Sequence, residues 1–428
     1  MKLFPTIVAG IFIAMGVGAM LIFATYSSRN ASKVGEVLVW GPLSSEAVQP
    51  ALDIIQKDTD VFSDVSYRVF PEEDFIPRLV TAIAAGRGPD LIIFPAERLL
   101  SEGEKLIPIP YSALSRRDFL NTYLEAGEVL LADDGLHGVP FVLDPLVLYW
   151  NRSLFAEGGV ARPPKYWDEV ATQAGTLSQS DDGGTLVKST IGLGTWDNVN
   201  HAKGVLVSMI RQLGNIIIEK TERGYVSVLK DASSNNLPTA SSAVRFYTDF
   251  ADPAKAAYSW NRSQPDSRTA FVSGRVALYI GRASELYGIR ATNPNLNFDV
   301  ATLPVTRGGT AATEARLYAL SIPRGSRNPD GAVAVIQALR TPEVDAALQL
   351  SMHTPSILRE EPGESPGDAY VSTFRQAALS SFVFLDPDPE SSDSVFQRMI
   401  EGVTSGALTV GSAVDEASDE LGALLGVE

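Results

Sequence analysis

The chain has 428 residues, 35 Lys and Arg against 51 Asp and Glu, a formal net charge of −16, no cysteine and three histidines. That length allows two or three cores or one large two-lobed body, and 45% hydrophobic with 20% charged residues excludes a disordered chain or a coiled coil. The negative balance repels phosphate and anionic headgroups, which argues against a nucleic-acid partner, and the missing cysteine excludes disulfides, thiolate chemistry, Cys-ligated zinc and an acylated lipoprotein cysteine.

The first element falls at 6–28, a stretch without a charged residue, preceded by Lys2 and followed by Arg29 and Lys33. At 1.5 Å per residue it holds the roughly 20 residues needed to span a hydrocarbon core. The layout is that of a signal anchor or of a signal peptide cleaved near Ala24. The apolar run exceeds the usual length of a signal peptide and favours an uncleaved anchor with an extracytoplasmic body.

In the body, a buried strand is expected at 36–41 (Glu-Val-Leu-Val-Trp-Gly), a helix at 46–56, a strand at 65–70, an amphipathic helix at 74–85 and a strand at 90–94. Alternating strands and helices form a parallel sheet with both faces covered, and ligands bind beyond the carboxyl ends of its strands. Trp40, Ser44, Glu97 and Arg98 fall on that rim. The run 138–151 is apolar and extended but for Asp144, a carboxylate costly to bury alone, which suits a strand crossing a cleft. Helices follow at 167–177, 199–213, 240–250 and 267–273, strands at 276–280, 298–304 and 318–323, and a helix at 329–339. The Pro-, Ser- and Asp-rich stretches 360–368 and 386–394 read as loops.

Several segments then resemble, in order, the extracellular solute-binding proteins of ABC importers, of the carbohydrate-type (maltose-binding-protein-like) group. They are the strand end Trp40-Gly41, AIAAGRGPDLIIF at 82–94, Gly138-Val-Pro-Phe141 with Leu148-Tyr-Trp-Asn151, PPKYWDE at 163–169, AFVSGRVAL at 270–278 before Gly281, Leu303-Pro304, and the ending from Gly402 with a last helix at 413–424. The resemblance implies an α/β, two-lobed, type II periplasmic-binding-protein-like fold behind the N-terminal anchor of 1–33. Lobe 1 would be 34–143 with about 305–342, and lobe 2 would be 144–304 with about 343–428. Hinge crossings would lie at 141–145, 300–306 and near Thr341. It also implies a monomer without a cofactor that captures a solute, a carbohydrate in this group, and delivers it to an ABC permease by lobe closure.

Glu97-Arg98 matches the family's acid–arginine pair, which can hydrogen-bond sugar hydroxyls; a solvated surface pair is the alternative. Asp144 matches a family acid at the hinge, with a cap as its alternative. Trp196 and Trp260 sit in polar loops and could stack on a sugar face, whereas Trp40 ends a buried strand and could equally be core. Ser44 stands where the family has a charged ligand contact, and Arg282 where it often has an aromatic; both departures speak against a plain maltodextrin. No P-loop, GxSxG elbow or HExxH pattern signals catalysis, so no enzyme is expected. A membrane-anchored ligand sensor or scaffold with the same fold is the rival reading.

Overall fold

The computed structural model describes residues 33–57, 60–222, 224–230, 239–360 and 370–426. The expected anchor at 6–28 lies outside them, and no helix among the described residues is long and apolar enough to cross a membrane.

Strand β1 (Val37–Gly41) pairs in parallel with β2 (Val65–Val69) and β3 (Leu91–Pro95), with helices α1 (Ser45–Gln56) and α2 (Glu72–Ala84) in the crossovers. The continuous apolar run of β3 follows from coverage on both faces. Leu91 and Ile93 turn into one hydrophobic cluster with Val48 and Leu52 of α1, while Ile92 and Phe94 meet Phe75 and Leu79 of α2 in another. Ser44 starts α1 as its N-cap, its hydroxyl accepting the Ala47 N–H at 3.2 Å.

The long strand β4 (Val139–Asn151) runs through both halves of the molecule. Its residues Val139 to Leu143 belong to the first core, and Leu146 to Tyr149 belong to the second. The second core is built on α3 (Trp167–Leu177), β5 (Leu186–Ile191), α4 (Ala202–Gln212), β6 (Val276–Arg282) and β7 (Phe298–Ala301). Strands β6 and β7 flank β4 antiparallel, and β6 pairs in parallel with β5. The chain then returns to the first core in β8 (Thr313–Pro323), antiparallel to both β3 and β4. One sheet, in the order β2-β1-β3-β8-β4-β6-β5, therefore runs through both lobes.

The later connections differ from the reading of the sequence. Thr341 caps α5 (Pro342–Met352), whose Val344 and Leu348 stay in the first core, and Ser351 Oγ donates to the Ala47 carbonyl at 2.9 Å. The chain remains in the first core as far as Leu358. Residues 389–394, read as loop, begin α6 (Pro389–Thr404): Asp388 accepts the Ser391 N–H at 2.8 Å and Pro389 occupies the first turn. The Ser, Asp and Pro that suggest a loop are here the residues of a helix start.

Candidate functional site

Between the two cores lies a cavity of about 510 Å³. Glu97 and Arg98 reach it from the carboxyl end of β3, Arg282 from the end of β6, Glu314 and Arg316 from β8, and Trp196, His201 and Lys203 from the second lobe. Period-2 alternation puts Glu314 and Arg316 on one face of β8.

Ion pairs knit its walls. Arg282 Nη2 lies 2.7 Å from Glu314 Oε2, and Arg316 Nη1 lies 3.1 Å from Glu72 Oε2 at the start of α2. Arg98 Nη2 pairs with Glu390 of α6 at 2.6 Å. Lys203 Nζ meets Asp386 at 2.8 Å and also donates to the Pro389 carbonyl and to Ser392 Oγ, both at 3.1 Å. Gly204 lets Glu314 approach α4 closely, because a Cβ there would stand 2.5 Å from Glu314 Oε2. A glycine inside a helix, costly by about 1 kcal/mol, is explained by that approach.

His201 begins α4 in the left-handed region, φ 58°. Its Nε2 lies 2.6 Å from Glu285 Oε1, and Glu285 also accepts from Tyr279 Oη (2.7 Å), Arg268 Nε (3.0 Å) and the Arg282 N–H (2.8 Å). Burial alone would raise the Glu285 carboxyl, but the bonds from His201, Arg282 and Tyr279 outweigh it and hold it at about 2. Glu97 is the opposite case. Burial raises its carboxyl against the opposing charge of Arg316, and its Oε2 is buried without a hydrogen-bond partner.

Of the residues singled out from the sequence, Glu97, Arg98, Trp196 and Arg282 come together around this cavity. Trp196 is only 7% exposed; it stacks parallel to Phe396 with centroids 6.3 Å apart and donates its indole N–H to Asp393 at 3.3 Å. The other four fall elsewhere. Asp144 lies behind the lining, 6% exposed, with Oδ2 accepting Ser284 Oγ at 2.6 Å and Oδ1 the Ser284 N–H at 3.1 Å, while its carbonyl accepts Arg282 Nη1 at 3.0 Å. It positions Arg282. Ser44 is the helix cap already described. Trp40 packs on Phe70 (centroids 4.6 Å apart) and borders a separate groove with Arg68 and Arg78. Trp260 is completely buried in the second core, its indole N–H on Asn198 Oδ1 at 3.1 Å, and so offers no face for stacking.

The lining also takes in His201, Lys203, Glu314, Arg316, Asp386 and Asp393, none of which the sequence singles out as a ligand contact. A usable signal existed for one pair: Glu314 and Arg316 interrupt the apolar stretch TEARLYALSIP as Asp144 interrupts β4. Lys203 and Asp386 carried none, being brought together from 183 positions apart.

The model of the bacterial extracellular solute-binding protein family matches residues 45–346. The chain belongs to that family. As a member, its described body is that of a binding protein working outside the cytoplasm, not that of an enzyme. A binding protein of Brucella abortus (strain 2308) is 23% identical over 376 residues, 86% of this chain and 85% of the relative. The galactooligosaccharide-binding protein of Bacillus subtilis (strain 168) is 23% identical over 293 residues, 66% of this chain and 63% of that protein. Among solved structures, the cyclic alpha-maltosyl-1,6-maltose binding protein from Arthrobacter globiformis shares the fold of this solute-binding protein, with TM-score 0.73, 19% identity and coverage of 91% of this chain and 98% of that one.

Proposed function

We propose that this solute-binding protein takes a carbohydrate into the cavity between its lobes, closes on it and hands it, as a monomer, to an ABC importer. The observation that carries this reading is the concentration of donors and acceptors around one cavity between two separate cores: Arg98, Lys203 and Arg282 on one side of the ledger, Glu97 and Asp393 on the other. Sugar hydroxyls both donate and accept, so a wall carrying both kinds of group suits them. The relatives named for sugars support the same reading.

Lobe 1 in this proposal is 34–143 with about 305–358, and lobe 2 is 144–304 with the remainder. The membership of Val344, Leu348, Ile357 and Leu358 in the first core supports extending lobe 1 beyond 342. The strands that pass between the cores serve as the hinge. Residues 6–28 serve as the tether that keeps the body at the membrane. A membrane-wash experiment on the native protein tests that point: release of a chain beginning near residue 25 would remove the tether.

A thermal-shift screen of mono- and oligosaccharides tests the main reading. A sugar present at 100 times its Kd should add about 2.7 kcal/mol of stability. Binding of peptides or polyols with no response to any sugar would contradict it.

A further inference from the structure

We infer that the solute is a saccharide carrying a protonated amine, held by the carboxylates of the cavity with Glu97 as its principal partner. This rests on the sugar-binding reading and narrows it.

The cations of the cavity are already committed. Arg98, Lys203, Arg282 and Arg316 each have a carboxylate within 2.6 to 3.1 Å: Glu390, Asp386, Glu314 and Glu72. Three lining carboxylates are left without a cation of their own, Glu97, Asp197 and Asp393. Asp197 accepts only a neutral amide, from Gln397 at 2.8 Å. Asp393 accepts the neutral indole of Trp196 and stands 3.9 Å from Lys203, which is closer to Asp386. Glu97 has neither an ion pair nor a hydrogen bond to Oε2.

Hydrogen-bond capacity points the same way, independently of charge. The buried lining atoms without a hydrogen bond are two acceptors, Glu97 Oε2 and Glu314 Oε2, and one donor, Arg282 Nε. Glu314 Oε2 is near enough to Arg282 to pair in charge, but its geometry makes no hydrogen bond. With Glu314 Oε2 held beside Arg282, Glu97 Oε2 is the lining acceptor that has no cation or donor against it, and a ligand complementary to this wall donates to it. An ammonium brings three donors, no acceptor and a positive charge; a hydroxyl brings one donor and leaves the surplus charge in place. Closure removes water from the wall and makes an uncompensated carboxylate more costly, so the amine gains most in the closed state. A uronic or sulfated sugar would add a like charge to the same surplus. The overall charge of −16 also raises the local concentration of cationic solutes.

Calorimetry on the body from Lys33 onward with matched probes decides the matter: glucose and glucosamine, galactose and galactosamine, mannose and mannosamine, cellobiose and the chitosan disaccharide, with glucuronic acid as the anionic member. In at least one pair the amine is expected to bind about 10-fold or more tightly than its neutral counterpart, with glucuronic acid weakest and the preference shrinking as salt is added. Glu97→Gln keeps the shape of the side chain and removes its charge, and should bring the amine-to-neutral ratio toward one. Asp393→Asn, at the second-lobe side of the cavity, should lower the ratio by a smaller factor and serves if Glu97→Gln does not fold. Neutral members binding as well as amines in every pair would overturn the inference and leave the sugar-binding reading intact, and so would a preference that survives both substitutions. No response to any sugar would overturn both.

Discussion

Asp144 and Glu97 are two acids whose carboxyls burial pushes upward, yet the two regions use them in opposite ways. In the strand that runs through both cores, Asp144 receives both the N–H and the hydroxyl of Ser284, and the charge of Arg282 further offsets its burial. At the end of β3, the burial of Glu97 is opposed by the charge of Arg316 and by a bond from its own backbone, the charges of Glu72 and Glu314 add to it, and one carboxyl oxygen has no donor. An acid in a cleft wall is structural when the fold has already supplied its donors, and available to a ligand when it has not. The two tryptophans of polar loops divide in the same way, Trp260 sealed in the core and Trp196 bordering the cavity.

The sharpest way to break this contrast is to remove each acid in turn. Asp144→Ala strands two part-buried donors of Ser284 and removes the acid beside Arg282, and should lower folding stability by about 2–4 kcal/mol, read by chemical denaturation. An unchanged midpoint would make Asp144 no more structural than Glu97. A third acid, Glu285, extends the comparison to the over-bonded extreme. Its carboxyl is held at about 2 against an ordinary 4.5, so its stabilisation of about 3 kcal/mol is present above pH 4.5 and is lost as the pH falls toward 2. Glu285→Gln should be the less stable form at neutral pH and should converge on the parent near pH 2; parallel pH profiles would contradict this.

Smaller effects are expected at Glu97. Glu97→Ala removes a charged acceptor and should weaken binding of the identified sugar by about 10- to 150-fold in calorimetry, equivalent to 1.5–3 kcal/mol. A change within twofold would place the site elsewhere. In the absence of ligand, Glu97→Gln should slightly raise the melting temperature. Because burial raises this carboxyl, ionisation opposes folding above its folded-state pKa, and the gain should vanish below the unfolded one. A loss of stability at pH 8 would show that the Glu97 charge is needed by the fold.

Much of the frame was legible in the sequence because it rests on short-range pattern. The alternation of 36–41 and 90–94 with amphipathic helices gave the first lobe, and the interrupted run 138–151 gave the strand shared by both lobes. The carboxyl-end rule put Glu97 and Arg98 on the rim beyond β3, and there they line the cavity between the cores. What stayed hidden depends on partners far along the chain. Nothing around Asp144 signals Ser284, 140 positions away, and nothing around Trp260 signals that Asn198 already satisfies its indole. The helix Pro342–Met352 was missed as a first-lobe element because its apolar residues are compatible with either core; only its seat against α1 decides.

The most direct measurement is a crystal structure with the identified sugar bound. The sugar is expected between the lobes, with a donor within hydrogen-bonding distance of Glu97 while Asp144 remains on Ser284. A sugar seated in the Trp40 groove, or one in the cavity that leaves Glu97 untouched and draws Asp144 away from Ser284, would contradict the division of roles drawn between these two acids.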